Sequence, residues 1–320
     1  MYISDNNNHR IRKVTASTGV ITTIAGTGNE GYSGDNSQAT AANIKKPHGI
    51  NLDSAGNVYF GDYQAYNVIR KVTVSTGVIS TVAGTGSTSG SYNGDNIQAT
   101  AATLNSPHDV VLDSYGNLYI SDRYNYRIRK VTVSTGVIST VVGTGTASST
   151  GDGSAATSAT LNGPCYSRFD SVGNYYISDC DGYKVRKVAT VSTDIPTATP
   201  SIQPTSVSPS IQPTYYPSLS PHSVSVITTI AGTGVAGYSG DGGQATSATV
   251  DGPDGIDIDS NGNIYFSEYN SHCVRKITAL TGIITTYAGT GASSYSGDGG
   301  AATSAGLYHP IGVYLDSSGK

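Results

Sequence analysis

Four residues able to bind a metal follow prolines at matched places in this sequence. After Pro47, Pro107, Pro164, Pro253 and Pro310 stand His48, His108, Cys165, Asp254 and Ile311. Neutral imidazole, thiolate and carboxylate are donors for a borderline transition ion, and zinc accepts such a mixed set. If the segments carrying them converge, His48, His108, Cys165 and Asp254 are candidate metal ligands, with zinc as the ion. The competing expectation is a polar rim filled with water, because donors on separate segments can stand too far apart for bonds near about 2 Å. No other cofactor is expected, and no catalytic set stands out.

Two further groups of residues carry chemistry. Cys165, Cys180 and Cys273 are too few for a disulfide framework. Cys165 and Cys180, however, flank one expected hairpin that turns near Asp170 to Asn174. They come near enough to bridge in an oxidising compartment, with a reduced pair as the alternative. Arg-Lys or its like recurs at 12–13, 70–71, 129–130, 186–187 and 275–276. Repetition of that kind points to a structural role beside Asp5, Asp62, Asp122, Asp179 and Glu268, rather than to nucleic acid, and Arg129 is expected to matter for stability. A net charge of −4 likewise gives no reason to expect nucleic acid.

The elements that would position these residues follow from a repeat. The phrase Pro-x-Gly/Asp-Ile/Val-x-Leu-Asp-Ser-x-Gly-Asn-x-Tyr recurs with a period of roughly 57 residues, one interval being longer. In the unit at Pro107, Asp109-Val-Val-Leu-Asp113 is one strand and Ser114-Tyr-Gly-Asn117 a turn. Leu118-Tyr-Ile-Ser121, Arg127-Ile-Arg-Lys-Val131 and Val137-Ile-Ser-Thr-Val-Val142 follow as three more. Four short antiparallel strands make one propeller blade. Abundant Gly, Thr, Val and Tyr, only 12% charged residues and no Trp suit an all-β chain. Asp152 is expected to N-cap a short helix over Ala155 to Leu161, in preference to a calcium loop, which needs more oxygen ligands.

Asn117-Leu-Tyr-Ile-Ser-Asp122, with Asn125-Tyr-Arg-Ile-Arg-Lys-Val131 after it, resembles the NHL repeat signature. The trailing Ile-x-Thr-x-Ala-Gly-Thr-Gly and Gly-Asp-Gly-Gly-x-Ala elements resemble its long-unit variety, seen in teneurin-like propellers. The resemblance covers nearly all of the chain except 194–225. It implies a β-propeller and says little about activity, since that fold hosts many unrelated ones. It also implies that each first strand lines a central channel. The loops between second and third strands would then share one face with the long inter-blade connections.

Strand arithmetic gives about five four-stranded blades in one domain over 1–320. The units are 310–320 with 1–27, 47–86, 107–145, 164–234 and 253–291. The ring is expected to close by pairing of the N- and C-terminal strands, or else the sequence is a fragment of a six-bladed parent. Residues 194–225, which repeat Pro200-Ser-Ile-Gln-Pro-Thr205 as Pro209-Ser-Ile-Gln-Pro-Thr214, are expected to be a disordered Ser/Thr/Pro insertion. Such composition resembles O-glycosylated stalks and favours an extracellular or cell-surface protein. No apolar run is long enough for a membrane span.

The loops between second and third strands differ from unit to unit while the flanking strands stay alike, which marks them for binding. They supply Tyr63, Tyr66, Arg123, Tyr124, Tyr126, Tyr183, Tyr269 and His272 as candidate binding residues. Tyrosine gives broad amphipathic contact at low entropic cost. The expected function is a non-catalytic scaffold presenting this face to a protein or glycan. The alternative rests on a second resemblance, to peptidylglycine amidating lyase, a propeller with zinc on channel histidines. Pro47-His-Gly-Ile50 and Pro107-His-Asp-Val110 look like two of its zinc segments, and Arg123 and Tyr124 resemble its catalytic Arg and Tyr. The departures are that Arg123 and Tyr124 share one blade and that no third His stands at the matching site.

Overall fold

The computed structural model describes residues 1–63, 65–192 and 223–315. Four of the blades start from the same local chemistry, at Asp53, Asp113, Asp170 and Asp259. In the turn after the first strand of the third blade, Asp113 Oδ1 accepts the backbone N–H groups of Tyr115 and Asn117, each at 2.9 Å. Asn117 Nδ2 donates to Asp113 Oδ2 at 2.8 Å, and Asn117 Oδ1 accepts from Val133 N–H at 3.0 Å. One Asp-Ser-x-Gly-Asn phrase therefore closes the first hairpin and pins it to the second. Gly116 sits at φ +81°, a conformation that a side chain would resist.

Described strands form five antiparallel sheets, the blades of a five-bladed propeller. The first blade is Tyr2–Asp5, Arg10–Val14 and Ile21–Ala25. The second is Pro47–Leu52, Val58–Asp62, Val68–Thr73 and Val78–Ala83. The third is Pro107–Leu112, Leu118–Asp122, Arg127–Thr132 and Val137–Val142. The fourth is Pro164–Phe169, Tyr175–Asp179, Lys184–Ser192 and Ser223–Ala231. The fifth is Pro253–Ile258, Ile264–Glu268, Cys273–Ile277 and Ile284–Ala288. Short segments of the long connections, Ser37–Gln38 and Ile97–Gln98, add to the outer edges of the second and third blades.

The core lies between blades. Ile69, Leu104, Val110, Ile120 and Ile138 pack in one buried cluster between the second and third, and comparable clusters fill three other junctions. Burial of this kind yields roughly 25 cal/mol per Å² of apolar surface. The Ala/Thr-rich connections enter these junctions as single 3₁₀ turns, with Ala39, Ala99, Ala156 and Ala245 buried.

The expected cap by Asp152 is not what forms. The 3₁₀ turn is Ala156–Ser158, preceded by Ala155, with no side-chain cap. Asp152 instead accepts from Arg186 Nη2 at 2.8 Å and from Thr229 Oγ1 at 2.7 Å. A three-residue turn offers a cap little to satisfy, whereas a buried guanidinium needs an anion.

That contact is one of a series. Arg70, Arg129, Arg186 and Arg275 are fully buried, and each meets two carboxylates. The inner partners are those expected: Asp62 at 3.7 Å, Asp122 at 3.4 Å, Asp179 at 3.5 Å and Glu268 at 2.7 Å. The outer partners, Asp35, Asp95, Asp152 and Asp241, come from the long connections at 2.7 to 3.0 Å. Each inner carboxylate also accepts a backbone N–H at the entry to its blade's first strand, as Asp122 does from Asn105 at 2.7 Å. Burial pushes the Asp122 carboxyl up to about 6, while Asn125, the Asn105 N–H and Arg129 pull it back.

The third and fourth strands of the fourth blade run nine residues each, paired out to Ser192 and Ser223. That ladder takes in residues 223–225 of the expected insertion and brings its two ends together; residues 193–222 lie outside the described residues. At the other seam, Ile311 O accepts from Gly255 N at 2.7 Å and from Ser267 Oγ at 2.7 Å, so the Pro310 segment lies along the fifth blade's inner strand. Among the described residues Tyr2–Asp5 pairs with Arg10–Val14 alone. The expected pairing of chain ends would run on into 316–320, outside the described residues.

Candidate functional site

The candidate metal ligands occupy one structural position. In the second to fifth blades the register slips between the proline and the residue three beyond it. Two residues, such as His108 and Asp109, there oppose a single one on the second strand. A bulge of this kind re-aims side chains out of the pleat. It turns His48, His108 and Asp254 toward the channel, while Cys165 sits at the inner edge of the cluster between the fourth and fifth blades and also borders the channel cavity. The residues opposite, Gly61, Ser121, Ser178 and Ser267, are small. A Cβ on Gly49 would meet the backbone of Asp109 at 2.6 Å, so neighbouring first strands approach closely enough there to demand glycine.

Donor atoms of His108, Cys165 and Asp254 all lie within 4.8 Å of one another. His48 stands beside them, its ring 3.9 Å from that of His108, but its Nδ1 contacts Tyr166 Oη at 3.1 Å. Three of the four expected ligands therefore converge, and the fourth, His48, has one ring nitrogen engaged by Tyr166. His108 is 3% exposed, and among the described residues its Nδ1 and Asp254 Oδ1 have no hydrogen-bond partner. Cys165 is bonded to Cys180, with Cα atoms 6.0 Å apart, which bears out the proximity expected from the hairpin. Cys273 is buried and free.

Burial dominates the electrostatics. It holds His108 well below the usual imidazole range and lowers His48 to about 4, with Arg123 adding to both. It pushes the Asp254 carboxyl up to about 7, against the pull of Arg123 and with a push from Asp109 and Asp181. Both histidines are therefore neutral at physiological pH.

A cavity of about 390 Å³ opens here, lined by His48, Tyr63, His108, Arg123, Asp181, Asp254, Tyr269 and Asn270 among others. A second, of about 450 Å³, shares His48, Tyr63 and Ile311 and adds Tyr2, Asn6, Asn7, Lys46 and Tyr314. Both contain residues of the loops between second and third strands, so they form the mouth of the channel on the loop face. Arg123 reaches over the first cavity and pairs with Asp181 at 3.3 Å.

The other candidate binding residues divide. Tyr63 and Tyr269 line the mouth, and Tyr269 stacks on His309 with ring centres 4.1 Å apart. Tyr124 lies beneath the Arg123 guanidinium at 5.3 Å and faces solvent. Tyr66 stacks on Tyr32 of the inter-blade connection instead. Tyr126, Tyr183 and His272 end their loops in left-handed backbone at φ 52° to 55°. His272 Nδ1 accepts from His309 N–H at 3.2 Å, just as Asn67 Oδ1 accepts from Ser106 N–H at 2.8 Å. The loop-ending side chain thus latches the next blade, which gives His272 a structural task. Sequence reasoning missed Tyr166 and Tyr314, and from the loop of residues 180–183 it singled out Tyr183 where Asp181 lines the cavity. Only the bulge places Tyr166, and nothing in the repeat phrase marks it.

The chain was compared with known proteins. A family model described as the teneurin NHL domain matches residues 1–93, and an NHL repeat model matches residues 104–131. No curated protein matches the sequence. Among solved structures, a structural-genomics protein of unknown function from Bacteroides thetaiotaomicron VPI-5482 shares 19% identity, with a TM-score of 0.59 over 97% of this chain and 60% of that one. An auxiliary nutrient binding protein from the same organism shares 13%, at TM-score 0.61 over 99% and 61%. One of the same description from Bacteroides ovatus ATCC 8483 shares 15%, at 0.60 over 99% and 61%. The chain thus spans about 60% of the length of these structures, and at such identities the likeness concerns the fold.

Proposed function

Because the chain is an NHL-repeat β-propeller, we propose that it is a non-catalytic binding scaffold whose channel mouth takes a glycan. The observation that carries this reading is the pair of adjoining cavities on the loop face. Their sizes fall in the range of small-ligand sites. Their walls mix tyrosine faces with Arg123, Asp181, Asn270, Asn6 and Lys46, and a sugar offers both apolar C–H faces and hydroxyls to such a lining. Two solved structures of similar fold carry the description auxiliary nutrient binding protein, which agrees with a binding role. The disulfide suits an oxidising compartment, and so supports a place at the cell exterior.

The lyase reading has less support. Its matched Tyr124 is outside the residues that line the cavity of His48 and His108, and Cys165, the substitute for a third His, is held in a disulfide.

A glycan array tests the proposal. Binding is expected, with affinity falling by about tenfold or more in a Tyr63→Ala/Tyr269→Ala double variant, in line with loss of central aromatic anchors. Tyr115→Ala is the control, since Tyr115 lies in the first-hairpin turn of its blade and is 83% exposed. Binding unaffected by the double variant, or restricted to protein partners, would overturn the glycan reading.

A further inference from the structure

The floor of the mouth holds a contradiction between chemistry and bonding. Among the described residues His108 and Asp254 each keep a buried polar atom without a hydrogen-bond partner, and those residues flank the sulfur of Cys165. Buried polar groups are seldom left so. A disulfide sulfur answers neither: it has no proton for the imidazole or carboxylate, and no charge to share with a cation. Reduced, the same sulfur completes a Cys-His-Asp donor set of the kind that borderline divalent ions take.

We propose that the Cys165–Cys180 disulfide covers a transition-metal site, and that its reduction lets His108, Cys165 and Asp254 bind a divalent ion of the zinc class. Their donor atoms lie within 4.8 Å of one another. Bonds of about 2.0–2.3 Å in tetrahedral geometry bring donors to about 3.3–3.8 Å, so the set needs to close inward by about an ångström. The bulges that carry the three residues are local irregularities of a first strand, where such a shift leaves the outer ladders alone.

Both halves of the bridge have somewhere to go. In the reducing step a dithiol supplies two electrons and two protons and closes into its own disulfide. The protein S–S bond breaks, and each sulfur gains a hydrogen. Cys180 Sγ lies 2.7 Å from the Pro253 carbonyl oxygen and donates to it as a thiol. Cys165 then loses its proton to solvent as the ion binds. The fourth coordination position opens on the cavity of about 390 Å³, toward His48 or a ligand donor. The inference is independent of the glycan reading, and either can fail alone.

Cobalt(II) titration of the full chain provides the test, because a cobalt–thiolate bond gives an absorption band that imidazole or carboxylate ligation does not. Oxidised protein is expected to show no such band. After reduction by a phosphine, which takes up the oxygen of water, it is expected to bind about one equivalent with the band, and zinc to displace it. Cys180→Ser, which frees Cys165 without reductant, is expected to bind cobalt directly. His108→Ala and Asp254→Asn are expected to weaken binding more than about tenfold in the reduced state. Cys273→Ser is expected to leave the titration unchanged. Absence of the band in both reduced wild type and Cys180→Ser, with unchanged far-ultraviolet circular dichroism, would overturn the proposal. Equal cobalt binding by oxidised and reduced protein would do the same.

Discussion

Arg123 and Arg129 belong to one blade and carry the same charge, yet they sit in opposite kinds of place. Arg129 is 0% exposed, between Asp122 and Asp95, with the Gly94 carbonyl as a further acceptor. Arg123 is 18% exposed, over a cavity, and among the described residues its ionic partner is the half-exposed Asp181. The first arrangement recurs with near-identical chemistry from the second blade to the fifth. The second occurs once among the described residues, beside His48, His108, Cys165 and Asp254, where the residue after proline changes from His to Cys to Asp along the blades. In a repeat protein, what every unit shares builds the ring, and what one unit alone possesses is free to recognise something.

That contrast can be broken most forcefully at Arg129. Arg129→Ala leaves Asp122 buried without its counter-ion, and should cost about 3–5 kcal/mol of stability in a denaturant titration. A loss under about 1 kcal/mol would make the ties ornamental and remove the contrast.

Reduction of Cys165–Cys180 comes next in size. The bridge closes a loop of 15 residues, a constraint of the unfolded chain worth up to about 3 kcal/mol. Thiol titration of denatured protein should give one reactive thiol before reduction and three after, as expected of a chain with three cysteines. Three before reduction would mean that the bridge is absent.

Asp95→Ala removes only the outer half of a tie. Asp95 is 27% exposed, and Arg129 keeps Asp122 and the Gly94 carbonyl, so the expected loss is about 1–2 kcal/mol. An effect as large as that of Arg129→Ala would show that the connection, not the inner carboxylate, holds the guanidinium.

The smallest expected effect lies in the hairpin turns. Partial burial alone would raise Asp53, Asp170 and Asp259, but hydrogen bonds from Asn57, Asn174 and Asn263 and their neighbours leave all three below the usual carboxylate range. A folded-state value below the unfolded one stabilises above the unfolded pKa, and that contribution disappears as pH falls through the folded value. Stability should therefore decline below about pH 4, and Asp259→Asn should flatten the decline. An acid limb as steep in the variant as in wild type would remove the turns from the account.

Much of the ring was legible in the sequence, because it depends on local chemistry that repeats. The Asp-Ser-x-Gly-Asn turn, the alternating strands and the inner Arg–carboxylate pairs follow from neighbouring residues, and the Cys165–Cys180 contact follows from hairpin register. The outer carboxylates did not, since Asp152 reaches Arg186 across 34 residues while sitting where a helix cap would sit. The candidate site was legible only in part. Matching positions after proline pointed to His108, Cys165 and Asp254. The bulge that turns them together, the engagement of His48 by Tyr166 and the use of His272 as a latch depend on tertiary contacts that no single unit encodes.

Shared chemistry is expected to hold the ring and unshared chemistry to bind the ligand. That division is tested most directly by measuring both properties in both arginine variants, using the glycan that binds best on the array as probe. A crossing is expected: Arg123→Ala loses affinity by about tenfold or more and keeps its melting temperature, whereas Arg129→Ala loses stability and, while folded, keeps its affinity. Loss of affinity in Arg129→Ala at temperatures where it is fully folded, with Arg123→Ala binding as wild type, would contradict it.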